Sequence, residues 1–138
     1  MKILSRPKGN YCTRKSMELF RKYTGFDSVK QMEVSDMLDW FLNARCTYIV
    51  GMPKVGGKWT VWVVFTNSVN TIDGKLNMVD VEVKCKTKVD AEKAGIEWIL
   101  STLCEAKEMV KTMTEEEKTA VLQRAKRHGW EVDEKILQ

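Results

Sequence analysis

The sequence predicts an α+β fold, in which a three-stranded antiparallel sheet packs on a long helix and additional helices lie toward the N- and C-termini. Helical patterns precede residue 46 and follow residue 86, whereas residues 46–85 are rich in valine, threonine and aromatic residues, which favour strands. Asp73-Gly74 is a typical hairpin turn within that stretch. A length of 138 residues, 43% of them hydrophobic, fits one globular domain spanning residues 1–138.

The N-terminal segment, residues 1–12, is expected to be a flexible basic arm or a short strand. A helix is predicted over residues 14–23, because Thr13 can cap it and Gly25 can end it. The side chains expected to face the core from this helix are Met17 and Phe20.

A second helix is predicted to start from Ser35 and to continue through residues 36–44. Acidic residues in its first turn complement the helix dipole. Its expected apolar stripe consists of Leu38, Phe41 and Leu42.

Three strands are predicted, over residues 46–50, 58–66 and 78–85. Apolar and polar residues alternate along the third strand, so one of its faces should be buried and the other exposed to solvent. The residues expected on its buried face are Val79, Val81, Val83 and Cys85. The second strand is apolar on both faces, which predicts a central position in the sheet.

Trp62 lies in that second strand, and two interpretations of it remain open. If Trp59 faces the core, Trp62 lies on the opposite face, where an exposed aromatic ring can stack on single-stranded bases. The alternative is that the first helix covers this face and packs Met17 and Phe20 near Trp62. We expect the covered arrangement, because Val64 is apolar and shares the face with Trp62.

The long helix is predicted over residues 88–110, where Thr87 and Asp90 have the spacing of a capping box. Small residues on its inner face should let it lie close to the sheet. That face is predicted to comprise Ala91, Ala94, Gly95, Trp98, Ile99, Leu103, Ala106 and Val110. Trp98 is expected to be buried where the helix meets the sheet.

A final helix is predicted to begin after a second capping box, formed by Thr114 and Glu117. It should end at His128-Gly129, because glycine is favoured just past a helix end.

The net charge of +4 is unevenly distributed along the chain. Residues 1–30 contain eight lysines and arginines but only two acidic residues. A basic end of this kind is typical of a nucleic-acid-binding arm, or of an ordinary solvated surface.

The cysteine spacing argues against zinc and disulfide frameworks. The four cysteines lie at positions 12, 46, 85 and 104, without a C-x-x-C pair, so we expect reduced thiols and no metal site. Residues 1–10 lack the apolar core of a signal peptide, and no stretch approaches 18 apolar residues. These features predict a cytoplasmic protein without a membrane association.

Catalytic patterns are sparse. His128 is the only histidine and lies at a predicted helix end, where a cation is favourable. The glycines of "VGGKWT" lie between two strands, as in a hairpin turn, rather than before a helix, as in a phosphate-binding loop. We therefore expect no enzyme activity and no cofactor.

The passage "KTKVDAEKAGIEWIL", together with the order helix, three strands, helix over residues 35–107, resembles the double-stranded-RNA-binding domain. The resemblance implies that family's αβββα scaffold, and Lys88 falls on one of its phosphate-gripping positions. Val89 and Glu92 occupy positions where the family has lysines, and "GMPKVGG" lacks its loop histidine. The resemblance therefore implies the scaffold without specific binding of duplex RNA.

Short phage and gut-bacterial proteins are similar to the passage from the hairpin into "AGIEWIL", which suggests a phage or mobile-element origin. The leading hypothesis is a non-catalytic binding or interaction module whose partner is a protein. The alternatives are nucleic-acid binding through the basic N-terminal segment and, third, a small enzyme. The candidate contact residues are Lys8, Arg14, Lys15, Arg21, Lys22, Lys54, Lys58, Trp62 and Lys88.

Overall fold

The computed structural model describes residues 9–70 and 75–128, and it confirms the predicted α+β class. Within these two ranges, four helices accompany one antiparallel sheet with the strand order β1-β2-β3. The elements are α1 (Arg14–Thr24), α2 (Val34–Arg45), β1 (Thr47–Lys54), β2 (Lys58–Asn70), β3 (Lys75–Asp80), α3 (Lys88–Thr112) and α4 (Glu115–His128).

The ends of α1 are those that the sequence predicts. The Thr13 hydroxyl accepts a hydrogen bond from the Ser16 backbone N–H at 3.1 Å. Gly25 ends the helix in the left-handed conformation, at φ 79°, and its N–H donates to the Arg21 carbonyl. A hydroxyl cap and a left-handed glycine satisfy backbone groups that the helix itself leaves unpaired.

Helix α2 begins earlier than predicted, because the segment preceding α1 pairs with the segment preceding α2. Tyr11 and Glu33 form an antiparallel bridge, and the Val34 N–H donates to the Asn10 carbonyl at 2.7 Å. The helix therefore starts directly after Glu33, and the prediction that Ser35 marks its beginning is wrong. Residues 1–8 of the predicted basic arm lie outside the described residues.

A tight turn joins β1 to β2 and fixes the register of the sheet. Gly56 and Gly57 both have positive φ angles, of 83° and 73°, which side chains with a Cβ rarely adopt. The turn brings Lys54 opposite Lys58, and the pairing continues from there to Thr47 opposite Phe65.

The third strand is shorter than the predicted range 78–85, because the chain bulges after Asp80. Asp80 pairs with Trp62, but the chain rejoins β2 only at Cys85, which pairs with Trp59, so the chain after β3 carries two extra residues there. Glu82 has a φ of 59°, and its N–H donates to the Asp80 carboxylate at 2.8 Å. An aspartate that binds the backbone two residues on favours a turn over a continued strand.

Helix α3 covers one face of the sheet at close range. A Cβ placed on Gly95 would lie 2.6 Å from a Val61 methyl carbon and 2.8 Å from Ile49, so only glycine permits this approach. The large buried side chains of α3 are Ile96, Ile99 and Leu100. Trp98 is only half-buried at the margin of this core, and the prediction that it is buried between helix and sheet is wrong.

Helix α1 packs on α3 in a parallel orientation. Lys15 lies 3.3 Å from Glu97, the Cys104 thiol lies 3.5 Å from the Leu19 carbonyl, and Lys107 donates to the Tyr23 carbonyl. Phe20 also makes an edge-to-face contact with Trp40 of α2, with ring centroids 5.0 Å apart. Three helices therefore share one side of the sheet.

Helix α4 follows α3 after the predicted capping box. The Glu117 N–H donates to the Thr114 hydroxyl, and the Glu117 carboxylate accepts from the Thr114 N–H in return. The helix ends at His128, and Val121 and Leu122 on its surface are exposed.

Candidate binding face of the sheet

The sheet has a second face, which we call the open face, and the register identifies its residues. Side chains directly opposite each other in an antiparallel pair share a face, and Val61, Val63 and Ile49 are buried on the α3 side. The alternate positions form the open face. They are Tyr48, Val50, Met52, Lys54, Lys58, Thr60, Trp62, Val64, Met78 and Asp80.

No described helix covers the open face. Tyr48, Val50 and Met78 are 47%, 37% and 51% exposed, which an overlying helix would prevent. Met17 and Phe20 of α1 are instead buried in the core on the α3 side of the sheet. The prediction that α1 covers Trp62 is therefore wrong, and the reason is that α1 finds its apolar partners on α2 and α3.

Trp62 occupies the middle of the open face. Val50 is its cross-strand partner on β1, and Asp80 is its partner on β3. The residue is half-buried, and its indole N–H is shielded from solvent without a hydrogen bond to a described residue. This donor nevertheless lies near enough to Asp80 to contribute, as the smallest of several causes, to the low pKa of that carboxyl.

Asp80 is an oriented carboxylate beside the tryptophan. Its Oδ1 accepts hydrogen bonds from the Glu82 N–H and from the Thr60 hydroxyl, both at 2.8 Å. These two donors, and to a smaller extent the charge of Lys54, hold the pKa of Asp80 below its usual range. The side chain is therefore anionic at neutral pH and held in one direction.

Lysines collect at the hairpin end of the sheet. Lys54 and Lys58 are cross-strand partners on the open face, and both are exposed. Lys84 and Lys86 flank Cys85, which pairs with Trp59, so they lie at the same end of β2. None of these four lysines forms an ion pair with a described residue.

Lys88 lies at the same end of the sheet but on its helical side. Its Cγ would lie 2.8 Å from a Cβ placed on Gly51, so its side chain crosses β1 on the face that α3 covers. Burial raises the pKa of the neighbouring Glu92, and the charge of Lys88 partly opposes that shift. Lys88 is therefore separated by the sheet from Trp62.

The N-terminal candidates do not join the open face. Arg14 pairs with Glu18 on α1 at 3.5 Å, and Lys15 pairs with Glu97 of α3. Arg21 donates to the carbonyls of the loop after α1, and Lys22 lies near Cys104 of α3. Lys8 lies outside the described residues. Of the nine predicted contact residues, the open face thus brings together Lys54, Lys58 and Trp62.

A shallow pocket of about 210 Å³ lies elsewhere, between the N-terminal ends of α2 and α3. Two acidic residues, Glu33 and Glu92, line it together with small, polar and aliphatic residues, namely Gly9, Asn10, Val34, Ser35, Leu38 and Val89. The residues that the structure describes contain no group of three or more histidine, cysteine, aspartate or glutamate side chains placed to hold a metal ion.

Sequence reasoning identified Trp62 but missed its neighbours on β1. Tyr48 and Val50 were not candidates, because alternation within one strand does not show which residues of the next strand lie opposite. The two glycines of the hairpin turn were the available signal, since a tight turn fixes register.

No protein-family model matches the chain, and neither curated proteins nor solved structures show significant similarity to it. No helix among the described residues is both long enough and apolar enough to cross a bilayer.

Proposed function

We propose that the chain is a non-catalytic binding module, and that its open face binds single-stranded nucleic acid. The observation that carries this proposal is a sheet face that no described helix covers and that combines two aromatic rings with lysines that have no ion-pair partner among the described residues. Stacking on aromatic side chains and attraction of phosphates by lysine are the two interactions that single-stranded binding uses.

The positions of the two aromatic residues suit neighbouring bases. Tyr48 lies opposite Val64, and Trp62 lies opposite Val50, so the two rings occupy diagonal positions on adjacent strands. Diagonal positions in an antiparallel pair are about 7–8 Å apart, within reach of aromatic side chains. Two consecutive unpaired bases can therefore each find a ring, with Met52 and Met78 as adaptable apolar surroundings.

The charge distribution favours a polyanion. Lys54, Lys58, Lys84 and Lys86 concentrate positive charge at one end of the face, and no acidic side chain in the described part of the chain pairs with them. A phosphate backbone that crosses this end would release counterions, which supplies most of the sequence-independent affinity of nucleic-acid complexes. Duplexes are disfavoured as ligands of this face, because their bases are already stacked and cannot reach Trp62.

A protein partner is the second candidate for the same face. Val50, Met52 and Met78 are apolar, and methionine and aromatic residues are enriched in protein interfaces. Such a partner would have to present acidic groups opposite Lys54 and Lys58. The two candidates can be distinguished, because the affinity for single-stranded nucleic acid should depend on the aromatic rings and on salt concentration. We propose the cytoplasm as the location of either function, because the spacing of the four cysteines along the sequence favours reduced thiols.

Fluorescence anisotropy of labelled single-stranded oligonucleotides, of RNA and of DNA, tests the proposal. We expect micromolar binding at low salt, weakened about tenfold by Tyr48→Ala, because each stacked base contributes about 1–3 kcal/mol. The double substitution Lys54→Glu and Lys58→Glu should reduce the salt dependence by about two counterions. A matched control, Arg14→Glu with Lys111→Glu, changes the charge equally on α1 and at the far end of α3 and should change the salt slope little.

Absence of binding at low salt would overturn the proposal. Binding that the control substitutions weaken as much as Lys54→Glu and Lys58→Glu would show attraction by net charge alone. If Tyr48→Ala left the affinity for the oligonucleotides unchanged, the open face would not be the nucleic-acid site. A protein partner would then be the better candidate for that face.

A further inference from the structure

Resting on the proposed function, we infer that Asp80 reads the edge of the base stacked on Trp62 and selects bases that carry an exocyclic amino group over uracil and thymine. Asp80 lies beside Trp62, and two hydrogen bonds hold its carboxylate in one orientation.

Asp80 is the cross-strand partner of Trp62, so the two side chains stand next to each other on the open face. Directly opposite side chains in an antiparallel pair lie about 4.5–5.5 Å apart at their Cβ atoms. A base lying flat on the indole ring therefore brings one of its edges toward the Asp80 carboxylate.

The carboxylate has a fixed orientation and one oxygen to spare. Oδ1 accepts from the Thr60 hydroxyl and the Glu82 N–H, while Oδ2 has no hydrogen bond to a described residue. The two bonds to Oδ1 account for the bulge after β3. They leave Oδ2, on a residue that is itself exposed, as the oxygen to which a ligand can donate.

The chemistry of an ionised carboxylate determines which edges it accepts. It has acceptor oxygens and no donor, so it favours amino groups such as N4 of cytosine. Uracil and thymine present a carbonyl oxygen where cytosine has its amino group, and their one donor, N3–H, lies between two carbonyl oxygens that repel an ionised carboxylate. Asp80 also lowers the affinity for every phosphate backbone near it. A repulsive group of this kind contributes specificity at the expense of general affinity.

Two RNA decamers, of cytidine and of uridine, provide a matched test, because their bases differ at C4 in having an amino group or a carbonyl oxygen. We expect the protein to bind the cytidine decamer about tenfold more tightly, the difference typical of one well-placed base contact. Asp80→Asn should abolish or reverse this preference, since its amide NH₂ can donate to the uracil carbonyl.

The Asp80→Asn variant retains a carbonyl oxygen for Thr60 and for Glu82, so the bulge is expected to persist, and circular dichroism can verify the fold. Glu82→Gln removes one negative charge two residues away and should leave the cytidine preference intact.

Comparable affinities for the two decamers, or a preference that survives Asp80→Asn, would overturn the role of Asp80 while leaving the proposed function standing. Failure of both decamers to bind at low salt would overturn the proposed function as well.

Discussion

Gly95 of α3 lies so close to Val61 of β2 that the backbone of the helix touches the side chains of the sheet. The approach places Ile96, Ile99 and Leu100 deep in the core, where they are almost fully buried. Close packing of this kind leaves no space for an additional carbon atom.

Gly95→Ala should therefore destabilise the protein, although alanine is the better helix former. The added Cβ would lie 2.6 Å from Val61 and 2.8 Å from Ile49, and overpacking of a core typically costs about 1–3 kcal/mol. Urea denaturation measures the change in the free energy of unfolding. An unchanged or higher midpoint would show that α3 can move away from the sheet at little cost. Ala94→Gly, on a less buried position of the same helix, provides the matched control for propensity alone.

The two faces of the sheet should respond differently to one substitution. Val63→Thr places a hydroxyl in the fully buried core, and it should cost about 1–3 kcal/mol. Val50→Thr makes the same change on the open face, where the residue is 37% exposed, and it should change stability by no more than about 0.5 kcal/mol. Thermal or urea unfolding of the pair provides the comparison. Equal losses for both variants would contradict an open face.

Thiol reactivity should follow burial. Cys12 is buried, and that burial raises its pKa to about 11, so little thiolate is present at neutral pH. Cys46 is exposed. We expect iodoacetamide to modify Cys46 well before Cys12, as peptide mass spectrometry can show, and denaturant to abolish the difference. Faster modification of Cys12 in the native protein would contradict its place in the core.

The fold could be predicted from the sequence wherever the residues of a single helix or strand were enough to define it. Thr13, Thr87 and Thr114 mark helix starts because a cap acts within one turn of chain. The prediction for Trp98 was wrong because helical spacing shows only which residues of α3 share an apolar stripe. The distance between the helix and the sheet determines which residues of that stripe are most buried. Gly95 draws Ile96 and Leu100 inward and leaves Trp98 at the margin.

The candidate site could be predicted only in part, since it depends on pairing between strands. Trp62 was recognisable from the alternation in β2, but its environment depends on what lies across from it and above it. Helix α1 packs on the other helices and not on the open face of the sheet. One contact that holds it there joins Phe20 of α1 to Trp40 of α2, which belong to separate helices. Local periodicity contains no information on such a contact.

The contribution of Asp80 to stability should depend on pH in a defined direction. Its folded-state pKa is lowered, first by the Glu82 N–H and then by the Thr60 hydroxyl, relative to an ordinary aspartate value of about 3.9. A lowered folded pKa means that the ionised form stabilises the native state. That stabilisation is fully present above the unfolded-state pKa and disappears as the pH falls through the folded-state pKa.

We expect the wild-type protein to exceed Asp80→Asn in stability at neutral pH, and the difference to shrink below about pH 4. Urea midpoints of both proteins from neutral pH downward measure this difference. A gap that stays constant or widens in acid would show that the two hydrogen bonds do not favour the charged carboxylate.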